Sequence, residues 1–308
     1  MILGPHLTDA GGAKLVSLVM PLPLSAELTS GAAPRLLFAP EYPTVANPPF
    51  FSRRSRPAKI SATLLTKNSA ARLEEVLRAL GWCDEVVVLD TGSSDATVEI
   101  AQSHGNVAVY RLSGPFPGFG RAHQQAVALA RNDWILSIDS DEVVTPALAA
   151  EIAAQSLDPR AVYSVPFHNY LGGQLITTCG WYPDRHERLF NRTVTNFCAS
   201  AVHERVQTAG LKTLRLSAPV RHYSYGSLDD FLRKMQSYSR LFAQQNAGRK
   251  AASPGKAVAR SLWAFLKSYG LQRGCLQGRA GLVISAYKAQ TVFWKYLFLD
   301  EANAALRK

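Results

Sequence analysis

From Lys59 onward, short apolar and β-branched runs alternate with amphipathic stretches. KISATLLT (59 to 66), EVVVLD (85 to 90), NVAVYR (106 to 111) and DWILSID (133 to 139) have the length and composition of strands. Between the first two, Leu73, Val76, Leu77 and Leu80 follow the i, i+3, i+4, i+7 spacing of one helical face. Asn68 or Ser69 is available as its N-cap and Gly81 as its stop. A second helix is predicted from near Asp95 to Gly105. Strands roughly 25 residues apart, with helices between them, imply right-handed βαβ crossovers and a mostly parallel sheet. An α/β protein of this kind binds its ligand beyond the carboxyl ends of the strands.

Those ends are polar. They carry Thr66, Lys67 and Asn68 after the first strand, DTGSSDAT (90 to 97) after the second and DSDE (139 to 142) after the fourth. Asp139 and Asp141 are two apart, so on an extended chain their carboxylates point to the same side, where Mg²⁺ or Mn²⁺ could join them to a diphosphate. The competing reading is that such acids only solvate a turn or cap a helix. Asp90 carries the same ambiguity, and Ser93, Ser94 and Asp95 are assigned first to capping the next helix. FPGFGRAHQQ (116 to 125) offers glycines and Arg121 ahead of a helix, a local way to approach phosphates. It lacks the G-x-G-x-x-G spacing of a dinucleotide site, which argues against hydride-transfer chemistry. His168, His186, His203 and His222 contain no H-E-x-x-H pair, so a metal hydrolase is not indicated.

Charge sharpens this picture by its placement. The 308 residues carry 34 Lys+Arg and 23 Asp+Glu, a formal net charge of +11. Residues 251 to 308 hold nine basic and two acidic groups, whereas 58 to 250 are nearly balanced at 20 and 18. The surplus thus lies in an aromatic-rich C-terminal segment rather than across a nucleic-acid-binding face, and no nucleic-acid partner is expected. Trp263, Phe265, Tyr269, Tyr287, Phe293, Trp294, Tyr296 and Phe298 accompany the cations, on two helices expected around 256 to 270 and 280 to 299. Such helices lie along an anionic membrane surface, or pack their aromatic faces on the protein and solvate their charges. Nowhere does an apolar run reach the ~18 to 20 residues of a bilayer span. Residues 1 to 57 hold 9 of the 17 prolines and show neither period; they read as a disordered or mis-started segment, and an export signal is disfavoured by the prolines in LVSLVMPLPL. Cys83, Cys179, Cys198 and Cys275 are widely spaced and read as free thiols of a reducing compartment.

Together these residues resemble the family 2 glycosyltransferases of the GT-A fold. The opening strand with TKN, the stretch VVVLDTGSSDAT and the run ALARNDWILSIDSDEVVTPALAAEI (128 to 152) carry the resemblance. HERLFNR (186 to 192), FCASAVHERV (197 to 206) and HYSYGSLDDFLRKMQSYS (222 to 239) are similar to the lipopolysaccharide-core glucosyltransferase branch. The resemblance spans about residues 58 to 300. It implies a GT-A domain over 58 to 250, followed by the basic helical tail at 251 to 308. It also implies a divalent metal held by Asp141 and Asp139, and a nucleotide-sugar pocket at Asp90, Thr66, Asn68 and Asp139. Many members have two consecutive aspartates where this chain has Asp90 and Thr91, so Thr91 supplies no second carboxylate to read the base. Lys67, Arg121 and Arg185 stay open as diphosphate ligands.

The implied reaction is inverting transfer of a sugar, best guessed as glucose from UDP-glucose, to an inner-core lipopolysaccharide or other lipid-linked glycan. A general base must accept the acceptor hydroxyl's proton. Glu204 is the first candidate and Asp184 the second, while a salt bridge from Glu204 to Arg205 or Arg188 is the structural alternative. The implied location is cytoplasmic, peripheral at the inner membrane. A transferase of another polysaccharide or glycolipid pathway, and a catalytically silent membrane- or nucleic-acid-binding module, are the rivals.

Overall fold

The computed structural model describes residues 58–199, 204–225 and 228–307. The expectations for residues 1 to 57 and for His203 lie outside the described residues. Four parallel strands open the fold: β1 (Ile60–Thr66), β2 (Glu85–Asp90), β3 (Val107–Arg111) and β4 (Trp134–Ser137). They lie side by side in the order β3-β2-β1-β4, with Thr66 opposite Asp90 at the carboxyl edge. The helices α1 (Ala70–Ala79), α2 (Thr97–Gln102) and α3 (Phe119–Leu129) fill the crossovers. Both faces of the parallel strands are covered, which is why their sequences are apolar almost throughout. Ile60, Ala62 and Leu64 pack with Leu73, Val76, Leu77 and Leu80 on one face. Val87 and Ile135 pack with Val127, Phe190 and Phe197 on the other.

Beyond β4 the sheet becomes mixed. β5 (Glu142–Val144), α4 (Pro146–Ala154), β6 (Ala161–Leu171), β7 (Gln174–Leu175), β8 (Arg185–Asn191), β9 (Lys212–Arg215) and β10 (Val220–Tyr225) follow in the chain. The full strand order is β3-β2-β1-β4-β8-β6-β10-β5, with β7 and β9 attached to β6. β8 runs antiparallel to both β4 and β6, and this pairing carries its side chains to the β4 edge. Thr145 caps α4 by accepting from the Leu148 N–H at 3.2 Å, with Pro146 in the first turn where its missing N–H costs nothing.

Three helices close the chain: α5 (Leu228–Asn246), α6 (Pro254–Leu266) and α7 (Gly278–Ala305). A π-helical turn (Lys267–Leu271) and a 3-10 turn (Gly274–Gln277) join the last two. α5 packs along α7 through Phe231 against Tyr287 and Phe242 against Tyr296, with ring centroids 4.3 and 5.9 Å apart. Phe231, Ala280 and Ile284 join Leu171, Ile176 and Cys179 in a small separate core. The aromatic tail is therefore divided: Tyr287 and Tyr296 pack inward, whereas Trp263 and Trp294 are exposed. No described helix is long and apolar enough to cross a membrane.

Candidate active site

The carboxyl edge of β1 and β2 is tied together by its own side chains. Asp90 is buried, and its carboxylate accepts from the N–H groups of Gly92 and Ser93 at 3.1 and 3.0 Å, from Thr66 Oγ1 at 3.2 Å and from the Ser93 hydroxyl. Burial alone would raise this carboxyl, but the bonds from Ser93, Gly92 and Thr66 outweigh it and hold Asp90 below its usual range. Asn68, at φ 52°, takes the left-handed conformation that Asn tolerates, and its Oδ1 accepts from the Ser94 N–H at 2.8 Å. Thr66, Asn68 and Asp90 are thus brought to one place. Ser93 and Ser94 depart from their expected capping role, whereas Asp95 keeps it by accepting from the N–H of Thr97, the first residue of α2, at 3.1 Å. Ser93 serves Asp90 and Asn68, and Asp95 also accepts from the N–H of Ala70. The short loop turns these side chains back toward β1 and α1 before the helix begins. Ser69 is the N-cap residue of α1, yet its hydroxyl donates to Ser140 at 2.8 Å and does not cap, linking the β1 end to the β4 end.

After β4, Asp139 and Asp141 stand on the same edge, both partly exposed at 40% and 38%. Arg188, projecting from β8, donates to Asp139 Oδ2 at 2.8 Å and also to Glu142. Arg188 is therefore committed to these two carboxylates, which corrects its expected alternative partner, Glu204. The cause is register: Leu189 lies opposite Leu136, so residue 188 falls at the end of β4. Burial would raise Asp139, but Arg188 and then His123 hold it well below the carboxylate range. Glu142, only 1% exposed, is pushed the other way, first by burial and then by Asp139 and Asp141, against the pull of Arg188. His123, on α3, stacks on Phe197 and sits 3.9 Å from Asp139; burial draws its imidazole down to about 4, so it is neutral at pH 7.

Asp141 meets His222 Nε2 at 3.7 Å, and its carboxylate accepts no hydrogen bond among the described residues. From His222 a chain of polar contacts runs across the mixed half. His222 Nδ1 pairs with Asn169 Oδ1 at 2.7 Å, Asn169 Nδ2 donates to Asp184 Oδ2 at 2.9 Å, and His186 Nε2 meets Asp184 Oδ1 at 3.0 Å. Burial would raise Asp184, but His186 and Asn169 outweigh it and keep the group ionised at neutral pH. Asp184, His222 and Asn169 line a cavity of about 290 Å³ with Gly180, Trp181, Pro183 and Tyr287. Glu204 is half-buried and lies within electrostatic range of Tyr238 on α5. Burial, then Tyr287, Glu204 and Asp141, raise that phenol.

Of the three basic residues left open, Arg185 is spent on structure, donating to the carbonyls of Ser164 and Leu216 at 2.7 and 2.6 Å. Lys67 and Arg121 are exposed. Sequence reasoning missed His123, Glu142, Arg188, Asn169 and His222 as site residues. A usable signal existed for Glu142, inside DSDE, and for His123, Arg188 and His222, inside segments already singled out; Asn169 had none. Among the described residues no group of three or more His, Cys, Asp and Glu side chains converges as a metal site. The pair Asp139 and Asp141 nonetheless suits an oxygen-preferring cation whose remaining ligands are phosphate and water. Asp141 is accessible and unengaged by hydrogen-bond donors, and the local acids outnumber Arg188.

A parallel β3-β2-β1-β4 edge that presents a D-x-D pair, extended by antiparallel strands that wall a cavity beside it, defines a glycosyltransferase of the GT-A type. Residues 61–209 match the model of glycosyl transferase family 2. It is 29% identical over 260 residues to an uncharacterized glycosyltransferase of Rickettsia bellii, covering 80% of this chain and 87% of that one. It is 28% identical over 258 residues to the lipopolysaccharide core biosynthesis glycosyltransferase LpsC of Rhizobium meliloti, covering 79% of this chain and 95% of that one. Among solved structures, glucosyl-3-phosphoglycerate synthase of Mycobacterium tuberculosis, in complex with Mn²⁺, UDP and glucosyl-3-phosphoglycerate, aligns at 26% identity and a TM-score of 0.31. That alignment covers 38% of this chain and 46% of that one.

Proposed function

We propose that this glycosyltransferase moves a sugar, glucose as first choice, from a UDP-sugar to a lipid-linked glycan of the lipopolysaccharide inner-core type, with inversion at the anomeric carbon. The observation that carries this reading is the hydrogen-bonded series His222, Asn169 and Asp184, whose first member lies 3.7 Å from Asp141, so that the D-x-D edge stands beside a carboxylate lining a cavity. The donor lies along Thr66, Asn68 and Asp90, with Arg121 toward its phosphates. Asp139 and Asp141 would hold Mg²⁺ or Mn²⁺, which would supply positive charge to offset that of the departing diphosphate. The acceptor occupies the cavity. Its hydroxyl attacks the anomeric carbon as the bond to the diphosphate breaks, and the hydroxyl proton passes to Asp184. His186 and Asn169 fix the orientation of that carboxylate.

Glu204, placed first by the sequence, stays a second reading for the base because it shares the surroundings of Tyr238 with Asp141. Support for the acceptor class comes from the likeness to LpsC, whose name places it in lipopolysaccharide core biosynthesis. A lipid-linked acceptor also brings the enzyme to the cytoplasmic face of a membrane as a peripheral protein.

Turnover of Asp184→Asn and Glu204→Gln, with UDP affinity measured beside it, separates the two bases. The Asp184 variant is expected to lose on the order of 10³-fold in kcat with UDP binding intact. Near-normal turnover of that variant, with loss in Glu204→Gln, would transfer the role to Glu204. A panel of UDP-, GDP- and dTDP-sugars checks the donor, and preference for a non-uridine donor would overturn that part.

A further inference from the structure

The outward side of α6 is apolar although it faces solvent. Val258, Leu262 and Leu266 recur at i, i+4 and i+8, Leu262 being 62% exposed, with exposed Trp263 beside them. Only Ala257 of this helix is buried. In the following turn Leu271 and Leu276 are likewise exposed, at 71% and 75%. Large apolar side chains gathered on one solvent-facing helix side mark a contact with something other than water.

Charge selects the occupant. Arg260, Lys267, Arg273 and Arg279 are all exposed and form no ion pair among the described residues. From Ala251 to Leu299 the sequence contains no Asp or Glu. A second copy of the chain, paired about a twofold axis, would bring this cationic surface against itself. An anionic leaflet satisfies the leucines and the cations together, with the helix lying in the interface.

The patch is also fastened to the cavity. The backbone carbonyl of Gln272 accepts from the Cys179 N–H at 2.9 Å, and Gln277 Nε2 donates to the Leu175 carbonyl at 2.9 Å. Gly180, in the left-handed region at φ +69°, has the side-chain amide of Gln272 against it. Gly180 and Trp181 line the cavity, so the segment bearing Leu271 and Leu276 backs directly on its wall.

We propose that α6 and its apolar turn dock on an anionic lipid leaflet and thereby set the cavity beside the membrane surface. The link to the acceptor rests on the lipid-linked reading above; the lipid contact itself does not. Cosedimentation of the full chain with phosphatidylglycerol/phosphatidylcholine vesicles, against phosphatidylcholine alone, tests it. Binding is expected on the anionic vesicles. Leu262→Glu/Leu266→Glu should weaken it by about tenfold or more. Arg273→Gln/Arg279→Gln should weaken it by about fivefold per cation on anionic vesicles only. UDP titration into the same variants should be unchanged, so failure of the lipid contact is read separately from failure of the nucleotide-sugar site. Equal vesicle binding by wild type and the leucine variant would overturn the proposal. So would a wild type that ignores vesicles but self-associates through these leucines, seen as a concentration-dependent mass that the variant loses.

Discussion

At the end of β2 the Asp90 carboxylate is satisfied by its own loop and by the neighbouring strand, from Gly92, Ser93 and Thr66. At the end of β4 the Asp139 carboxylate is satisfied by Arg188, 49 residues further along the chain. The first arrangement closes on itself and surrounds an ionised carboxylate with neutral hydrogen-bond donors. The second is assembled across strands and stays electrically incomplete, with Asp139, Asp141 and Glu142 set against one guanidinium. Binding surfaces for neutral parts of a ligand need the former. A site that recruits a cation, and reacts beside it, needs the latter.

Arg188→Met tests that contrast most severely. It strands the buried Glu142 and should cost about 3–5 kcal/mol of stability, read as a fall in the denaturant midpoint. The double variant Arg188→Met/Glu142→Gln should recover much of the loss, and an undiminished midpoint in the single variant would refute the pairing. Asp90→Asn should cost about 1–3 kcal/mol, since it leaves buried donors short of an acceptor. Its pH dependence has a definite sign. Asp90 is held below its usual value, so its contribution is fully present above an unfolded pKa of about 3.9 and is lost as pH falls through the folded value. The variant should therefore show a shallower acid limb in stability.

Arg121→Ala probes the donor side without touching the fold: KM for the UDP-sugar should rise about tenfold with the unfolding midpoint unchanged. Asn169→Ala probes the relay. It removes one of the bonds that keep Asp184 ionised, so kcat/KM should fall about fivefold at neutral pH and its acid limb should move to higher pH. An unmoved limb would detach Asp184 from proton transfer.

The same contrast explains what could be read from the chain. β1, β2, β3 and β4 fall within two residues of the apolar runs at 59 to 66, 85 to 90, 106 to 111 and 133 to 139, because local composition and βαβ spacing determine them. α1 presents the expected Leu73, Val76 and Leu77. The mixed half gave no such signal. β5 has three residues, and the pairings of β8 with β4 and β6 join segments far apart in sequence. Asp139 and Asp141 were legible as a motif, but Arg188 beneath them was not, since its partner is chosen by strand register. Asp184 was named only as a second base, and its place became visible once β6 and β10 brought Asn169 and His222 to it. Ser69 had the right residue type for a cap and bonds to Ser140 instead, while Asp95 both meets the first N–H of α2 and reaches across to Ala70, because the two loops lie against each other.

The most direct measurement is calorimetric titration of UDP and UDP-glucose into the wild type and Asp141→Ala, with and without Mn²⁺. Binding that requires the metal in the wild type and disappears in the variant is the predicted result. Binding that is indifferent to both metal and Asp141, or absent for every nucleotide tested, would contradict a metal-assisted nucleotide-sugar site at the β4 edge.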